Sequence, residues 1–253
     1  MGYSLRRVEI NGGTVSAMDG DGNWRLALPP MTRGYGDAQI DDYSGRRRRD
    51  YAWRRGASMR LEARFSHDCT QLAGTAGFGF WNAPFGPGAG PLPALPQAAW
   101  FFYGSRRNHL PVAPVGEAGN GWFASTIDAS RPRALAWAPL TVPVLLANQA
   151  PLLHRRVWPL VRRSLAMSFQ RLEIAMENWH DYELNWLESG CLFRVDGEVV
   201  LQTAHSPRGP LGFVAWIDNQ YLVATPTGRF RWATEQTTHR QEMELRGLQL
   251  ELH

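Results

Sequence analysis

A chain of 253 residues, 44% hydrophobic and 20% charged, has an ordinary globular composition and is long enough to fold without disulfide or metal staples. Every basic residue is an arginine, and a net charge of +4 with no nucleic-acid-binding motif argues against a nucleic-acid partner. Cys69 and Cys191, with no CxxC or Cys/His cluster, suggest neither a disulfide framework nor a zinc site.

From Met1 to Gly13 there is no apolar run of signal-peptide length, and nowhere does the chain approach the roughly 18 apolar residues of a membrane span. A cytoplasmic protein is expected unless a leader has been removed. The first half reads as short strands divided by glycine and proline. Met59 to Phe65 (MRLEARF) alternates apolar and polar residues, the pattern of a half-buried strand. Gly74 to Trp81 (GTAGFGFW) is a second strand, whose small residues admit close approach of a neighbour or ligand. Asn82 to Pro96 is a proline- and glycine-rich loop. Its Gly86-Pro-Gly-Ala-Gly90 stretch lacks the lysine of a phosphate loop, and no cofactor motif is present. Ala98 to Tyr103 (AAWFFY) is a third strand, rich in aromatics.

Between Gly104 and Glu177 the character changes to a helical insertion, at about 105–177. In Val144 to Phe169, Leu153, Leu160 and Met167 recur at seven-residue spacing, as do Arg155–Arg156 and Arg162–Arg163, predicting an amphipathic helix begun at Pro151 and bent at Pro159. A surface helix, a lid, or a basic helix at 151–169 touching a membrane surface would each fit. Strands return at Trp179 to Trp186, Cys191 to Val195, Val199 to Thr203 and Gly212 to Ile217, with an Asp196-Gly197 hairpin turn. The chain closes on Glu242 to Leu252, where the alternation slips at Gly247 and suggests a bulge. Strands on both sides of one helical segment predict a single all-β domain over 1–253, a two-sheet antiparallel β-sandwich.

The stretch Trp179-His-Asp-Tyr-Glu-Leu-Asn-Trp186 with Phe193-Arg-Val-Asp-Gly197 resembles the "WHxYxxxW … fxVDG" signature of family 16 glycoside hydrolases, members of the concanavalin-like lectin/glucanase superfamily. Leu61 to Phe65 is similar to that family's "yExR" strand, Gly77 to Trp81 to its "GxWPAfW" strand, and the last strand to its "DYVRVY" run. The resemblance implies a concanavalin-like jelly roll. It also implies that Glu62 and Arg64 occupy substrate-contacting positions, although an ion pair on a solvated sheet face explains them equally well. Tyr182, Trp186, Asp196 and Gly197 read as scaffold, and His180 as a packed histidine. Retaining glycosidases need two carboxylates about 5 Å apart, which the family carries on one strand. The equivalent strand here, Gln97 to Tyr103, contains no acid. Family 16 hydrolysis is therefore not expected.

Trp81, Trp100, Phe102 and Trp216 are candidates for a flat apolar ligand surface, although each could be core. Trp216 to Tyr221 adds Asp218 and Asn219 at a strand end, where an Asx turn is the alternative reading. The expected partner is a small-molecule or carbohydrate ligand held in an aromatic cleft. If the protein is instead an isomerase, cyclase or lyase for a hydrophobic metabolite, Glu62, Asp68 or Asp218 would be its acid or base, with a pKa raised by the apolar cleft.

Overall fold

The computed structural model describes residues 4–85 and 94–253. Its strands are β1 (Arg6–Ile10), β2 (Thr14–Ala17), β3 (Trp24–Leu28), β4 (Asp37–Asp41), β5 (Ala57–Phe65), β6 (Thr75–Trp81), β7 (Gln97–Gly104) and β8 (Gly121–Asp128). They continue with β9 (Ser168–Arg171), β10 (His180–Leu187), β11 (Gly190–Val195), β12 (Glu198–Thr203), β13 (Gly212–Asp218), β14 (Gln220–Ala224), β15 (Phe230–Thr234) and β16 (Gln241–Leu252). Two seven-stranded antiparallel sheets form a sandwich, in the orders β1-β4-β13-β6-β7-β8-β9 and β12-β11-β10-β5-β16-β3-β2. The β14–β15 hairpin stands apart as a two-stranded ribbon. Of the loop expected over Asn82–Pro96, residues 86–93 lie outside the described residues.

Period-two alternation decides what each strand buries. On the inner face of the first sheet stand Phe78, Phe80, Phe101, Tyr103 and Trp122; the second sheet answers with Leu61, Tyr182, Trp186, Phe193 and Leu245, all fully buried. The Tyr182 ring lies 5.0 Å from both Phe78 and Phe101, bridging the sheets edge to face. The tyrosine and tryptophan of the WHxYxxxW strand are thus sandwich filling. His180 is hydrogen-bonded through Nδ1 with the Asp196 carboxylate (2.6 Å) and through Nε2 with the Ala175 carbonyl (3.0 Å), locking the same corner. Asp196 and Gly197 have φ of 52° and 82°, the paired positive values of the tight hairpin turn that joins β11 to β12. In β16 the register shifts between Arg246 and Gln249, so the slip at Gly247 is a bulge.

The helical segment is shorter and more broken than the sequence suggests. α1 (Pro132–Leu135), α2 (Thr141–Ala147) and α3 (Pro151–Ser164) fall within 132–164, and β8 and β9 flank them as members of the first sheet. The expected helix up to Phe169 ends at Ser164, because Ser168–Arg171 leaves it to pair with β8. Pro159 sits inside α3, whose buried residues are Trp158 and Val161; Leu153 and Leu160 face solvent and Met167 lies beyond the helix. The seven-residue leucine spacing therefore does not mark the buried stripe. Among the described residues no helix is long and apolar enough to cross a membrane. The helices lean on the hairpin: Asn148 and Gln149 donate to the carbonyls of Pro226 and Thr227, at 2.9 and 2.6 Å.

Candidate functional site

The outer face of the first sheet is built in rows set by strand register. In the first row Asp37, Asp218 and Thr75 stand side by side on β4, β13 and β6. The next row is Gln39, Trp216, Gly77, Phe102 and Phe123; beyond it come Asp41, Val214, Gly79, Trp100 and Ser125. A further row places Trp81, Ala98 and Ile127 together. Polar side chains fill the first row and the margins of the next two, at Gln39, Asp41 and Ser125, and aromatic and aliphatic ones cover the centre.

Two glycines make room for the aromatics. A Cβ on Gly77 would lie 2.9 Å from Cη2 of Trp216, and one on Gly79 would lie 2.7 Å from Cβ of Trp100. The trough along β6 lets both indoles lie down on the sheet. Trp81 and Trp216 are parallel within 9°, with centroids 6.3 Å apart, and Trp100 tilts against both at 5.7 and 5.6 Å. Two hydrogen bonds fix the platform, from Trp81 Nε1 to the Tyr43 hydroxyl (2.9 Å) and from Trp216 Nε1 to Thr75 Oγ1 (3.0 Å). Gly77→Ala is expected to lower stability by about 1–3 kcal/mol, the usual cost of overpacking, and to displace the Trp216 ring. Its Cβ would also meet the Phe101 carbonyl at 2.3 Å, which forces the strands apart. Near-UV circular dichroism with thermal melts checks this; an unchanged spectrum and midpoint would contradict the trough.

Over this face lies a cavity of about 280 Å³, walled by the aromatic platform, by Leu110 and Val112 from the β7–β8 connection, and by Leu222 and Trp232 from the β14–β15 hairpin. Phe85 contributes at the rim and packs against Trp232, with centroids 5.2 Å apart. Polar lining comes mainly from Tyr35, Gln39, Thr75 and Asp218 around the first row, joined by Asn108 and Gln220. The Asp218 carboxyl is fully buried and is pushed up to about 7 by that burial, against hydrogen bonds from Thr75 and Gln220 that favour its charged form. Its neighbour Asp37, also buried, is pushed well above the ordinary carboxylate range by burial first, then by the charges of Asp218 and Asp41.

Trp81, Trp100, Phe102, Trp216 and Asp218 all line this cavity. The other predicted residues do not. Glu62 and Arg64 lie on β5 of the opposite sheet, where Leu61, Ala63 and Phe65 point into the core, so both project from the far outer face. There Arg64 Nε donates to Glu244 (2.6 Å), which also takes Arg25 (2.6 Å), and its guanidinium covers the Trp179 ring at 4.9 Å. Among the described residues the expected Glu62–Arg64 pair is not formed; Arg64 pairs with Glu244 instead. Asp68 caps a turn, accepting from the Thr70 amide (2.5 Å) and hydroxyl (2.6 Å), which lower its pKa. Asn219 is a buried pin rather than a ligand contact: it accepts from Gly36 N (2.8 Å) and donates to the carbonyls of Gly34 (3.0 Å) and Glu235 (2.9 Å).

Sequence reasoning missed Tyr35, Asp37, Gln39 and Thr75. A signal for β4 exists, since Asp37-Ala-Gln-Ile-Asp41 alternates strictly and puts Asp37, Gln39 and Asp41 on one face. Among the described residues no cluster of histidine, cysteine and carboxylate side chains could hold a metal ion. Both cysteines are free thiols, Cys69 exposed and Cys191 buried.

No protein-family model matches the chain, and neither does any curated protein sequence. Solved structures do resemble it. A pseudo β-1,3-glucanase and immunostimulatory antigen of Mycobacterium tuberculosis superposes with a TM-score of 0.50 at 12% identity, over 93% of this chain and 77% of that one. An endo-β-1,4-glucuronan lyase from Trichoderma reesei gives 0.49 at 12% identity, over 100% and 92%. A β-glucanase from Bacillus licheniformis gives 0.49 at 9% identity, over 100% and 95%. At such identities likeness reaches the fold alone, a glucanase-like sandwich.

Proposed function

We propose that the cavity on the first sheet binds a compact, largely apolar small molecule and orients it by one polar group held at the Asp218 end. The observation that carries this reading is the distribution of the lining, with a polar first row and an aromatic centre beside it, where Gln39 is already bonded to Asp41 and Tyr43. Ligand pockets in general are mostly apolar with a few placed polar groups, and about 280 Å³ suits a small ligand. A sugar is the second reading. The parallel Trp81–Trp216 pair offers a stacking face, but beyond the first row the lining amides Gln39 and Gln97 are already bonded to Asp41 and Ser130, which leaves few partners for the hydroxyls of a sugar ring. Hydrolysis of the family 16 kind is not part of the proposal. The cavity-facing positions of β7 are Ala98, Trp100 and Phe102, where a carboxylate pair would be needed.

The test is a thermal-shift screen with oligosaccharides, terpenoids and aromatic metabolites side by side, since a ligand specific to the folded state raises its melting temperature. Apolar compounds are expected to raise it. Trp216→Ala should abolish the response, and Arg64→Ala, on the far sheet, should leave it intact. A response confined to oligosaccharides would favour the sugar reading. Loss of binding in Arg64→Ala would move the site to the other sheet.

A further inference from the structure

We propose that the outward face of the helical segment, α1 to α3, docks on an anionic lipid bilayer, its leucines entering the apolar boundary and its arginines meeting lipid phosphates. The proposal does not depend on the cavity reading above.

Charge comes first. Between Asp128 and Glu173 the chain contains seven arginines and neither aspartate nor glutamate. Three of the seven are committed within the protein. Arg131 pairs with Asp128, Arg162 donates to the Val112 carbonyl (2.8 Å), and Arg171 donates to the carbonyls of Asn120 and Ala118 (2.9 and 3.0 Å). Arg133, Arg155, Arg156 and Arg163 are exposed, and among the described residues none of them takes part in an ion pair. Around the second sheet the opposite holds: Arg25, Arg60, Arg64, Arg194 and Arg240 each pair with a carboxylate.

The same segment exposes its apolar side chains. Val142 and Leu146, one turn apart on α2, are 65% and 68% exposed, and Leu152 at the start of α3 is 77% exposed. Leu135, Leu140, Leu153 and Leu160 are exposed as well. What the helices bury fixes which way they face. On α3, Trp158 and Val161 pack inward and Arg162 holds the Val112 carbonyl. Leu152, Arg156, Leu160 and Arg163, spaced by three and four residues, therefore form its outward stripe. On α2, Leu145 turns to the β14–β15 hairpin, where its Cδ2 lies 3.4 Å from the place a Cβ on Gly228 would take.

A face of exposed leucine and unpaired arginine, with no acid among them, is unlike a solvated surface, which intersperses both signs of charge and keeps apolar patches small. A second copy of the chain makes a poor cover. In a two-fold contact the segment meets itself, arginine against arginine, with no carboxylate supplied by either side. An anionic bilayer satisfies both halves of the face at once. Leucines enter the boundary between headgroups and acyl chains, and the arginine stems lie along the apolar layer while their guanidiniums stay at phosphate level. The contact is peripheral, with the helices lying in the interface.

Flotation of the full chain with lipid vesicles tests the surface. The protein is expected to float with vesicles of phosphatidylcholine and phosphatidylglycerol mixed about 2:1, and to bind pure phosphatidylcholine at least about ten-fold less. Binding should fall progressively as NaCl rises from about 0.1 to about 0.5 M. Arg155→Gln, Arg156→Gln and Arg163→Gln together should weaken binding to the mixed vesicles at least about ten-fold. Arg60→Gln, Arg194→Gln and Arg240→Gln together change the net charge equally, and should cost less than about two-fold because they lie off the docking face. Val142→Ser, Leu146→Ser and Leu152→Ser together should also lose at least about ten-fold, which separates leucine insertion from charge attraction alone. The substituted helix side chains are exposed, so the circular dichroism and melting temperature of both helix variants should match wild type. No flotation with the mixed vesicles, or equal losses in the two arginine sets, overturns the proposal. A wild-type dimer in sedimentation velocity that the serine substitutions dissociate also overturns it, because a second copy would then cover the face.

Discussion

Urea unfolding followed against pH is expected to show stability falling as the pH rises from about 4 to about 7. The sign comes from proton counting. Unfolded aspartates release their protons near pH 3.9. In the folded chain Asp218 is pushed up to about 7 and Asp37 is pushed up as well, both by burial first. Between those limits the folded state binds more protons than the unfolded state, so each step up in pH favours unfolding. The Asp218 shift alone corresponds to about 4 kcal/mol across the window. Asp42, at about 6, acts in the same direction. Asp196 and Glu244, whose pKa values are lowered by His180 and by the Arg25–Arg64 pair against the opposing effect of burial, lose their contributions only at lower pH. Maximum stability is therefore expected near pH 4, at the lower end of that window. Asp218→Asn should flatten the slope and stabilise the protein at pH 7. A stability that rises between pH 4 and 7 would show that the first row is solvated or paired.

Trp186→Ala is expected to destabilise the protein by about 3–5 kcal/mol, the range for emptying a large aromatic site in a core. The ring is fully buried, packs on Phe80 at 5.8 Å, and donates from Nε1 to the Pro207 carbonyl at 3.0 Å. Trp186→Phe keeps most of the volume but leaves that acceptor without its donor, for a loss of about 1–3 kcal/mol. Chemical denaturation of the two variants separates packing from hydrogen bonding. Equal losses would mean that the hydrogen bond carries the site, and losses below about 1 kcal/mol would place the ring outside the core.

The parts of the fold that could be read in advance are those where alternation is strong and one face is buried. β5, β10, β11 and β16 were visible in that way, whereas β6, β7 and β13, buried on both faces, were visible as apolar or aromatic runs, and β12 as the run after the Asp196-Gly197 turn. Several strands that escaped notice are short or polar, as β1 (Arg-Arg-Val-Glu-Ile) and β15 (Phe-Arg-Trp-Ala-Thr) are, whereas the long, buried β8 was absorbed into the expected helical insertion. The aromatic half of the site was legible because Trp81, Trp100, Phe102 and Trp216 occupy alternate positions of strands that were themselves recognisable. Its polar half was not. Alternation puts Glu62 and Arg64 on a common face but does not say which sheet β5 joins, and that pairing is a long-range fact. Asp37 and Asp218 are 181 residues apart in the chain, and only the register of β4 against β13 makes them neighbours.

The β14–β15 hairpin bears on how fast the cavity fills and empties. It forms one wall, yet it belongs to neither large sheet and is tied to the β7–β8 connection by a short run of backbone bonds: His109 N to Leu222 O, and Ala224 N to His109 O, both 2.9 Å. A two-stranded ribbon has little stability of its own, so it opens at a smaller cost than either seven-stranded sheet. On the proposed cavity reading, the residence time of a bound molecule is expected to follow the frequency with which this ribbon peels back. Because Leu222 and Trp232 on the ribbon wall the cavity, a weakened ribbon is expected to raise both exchange rates and also to lower the affinity.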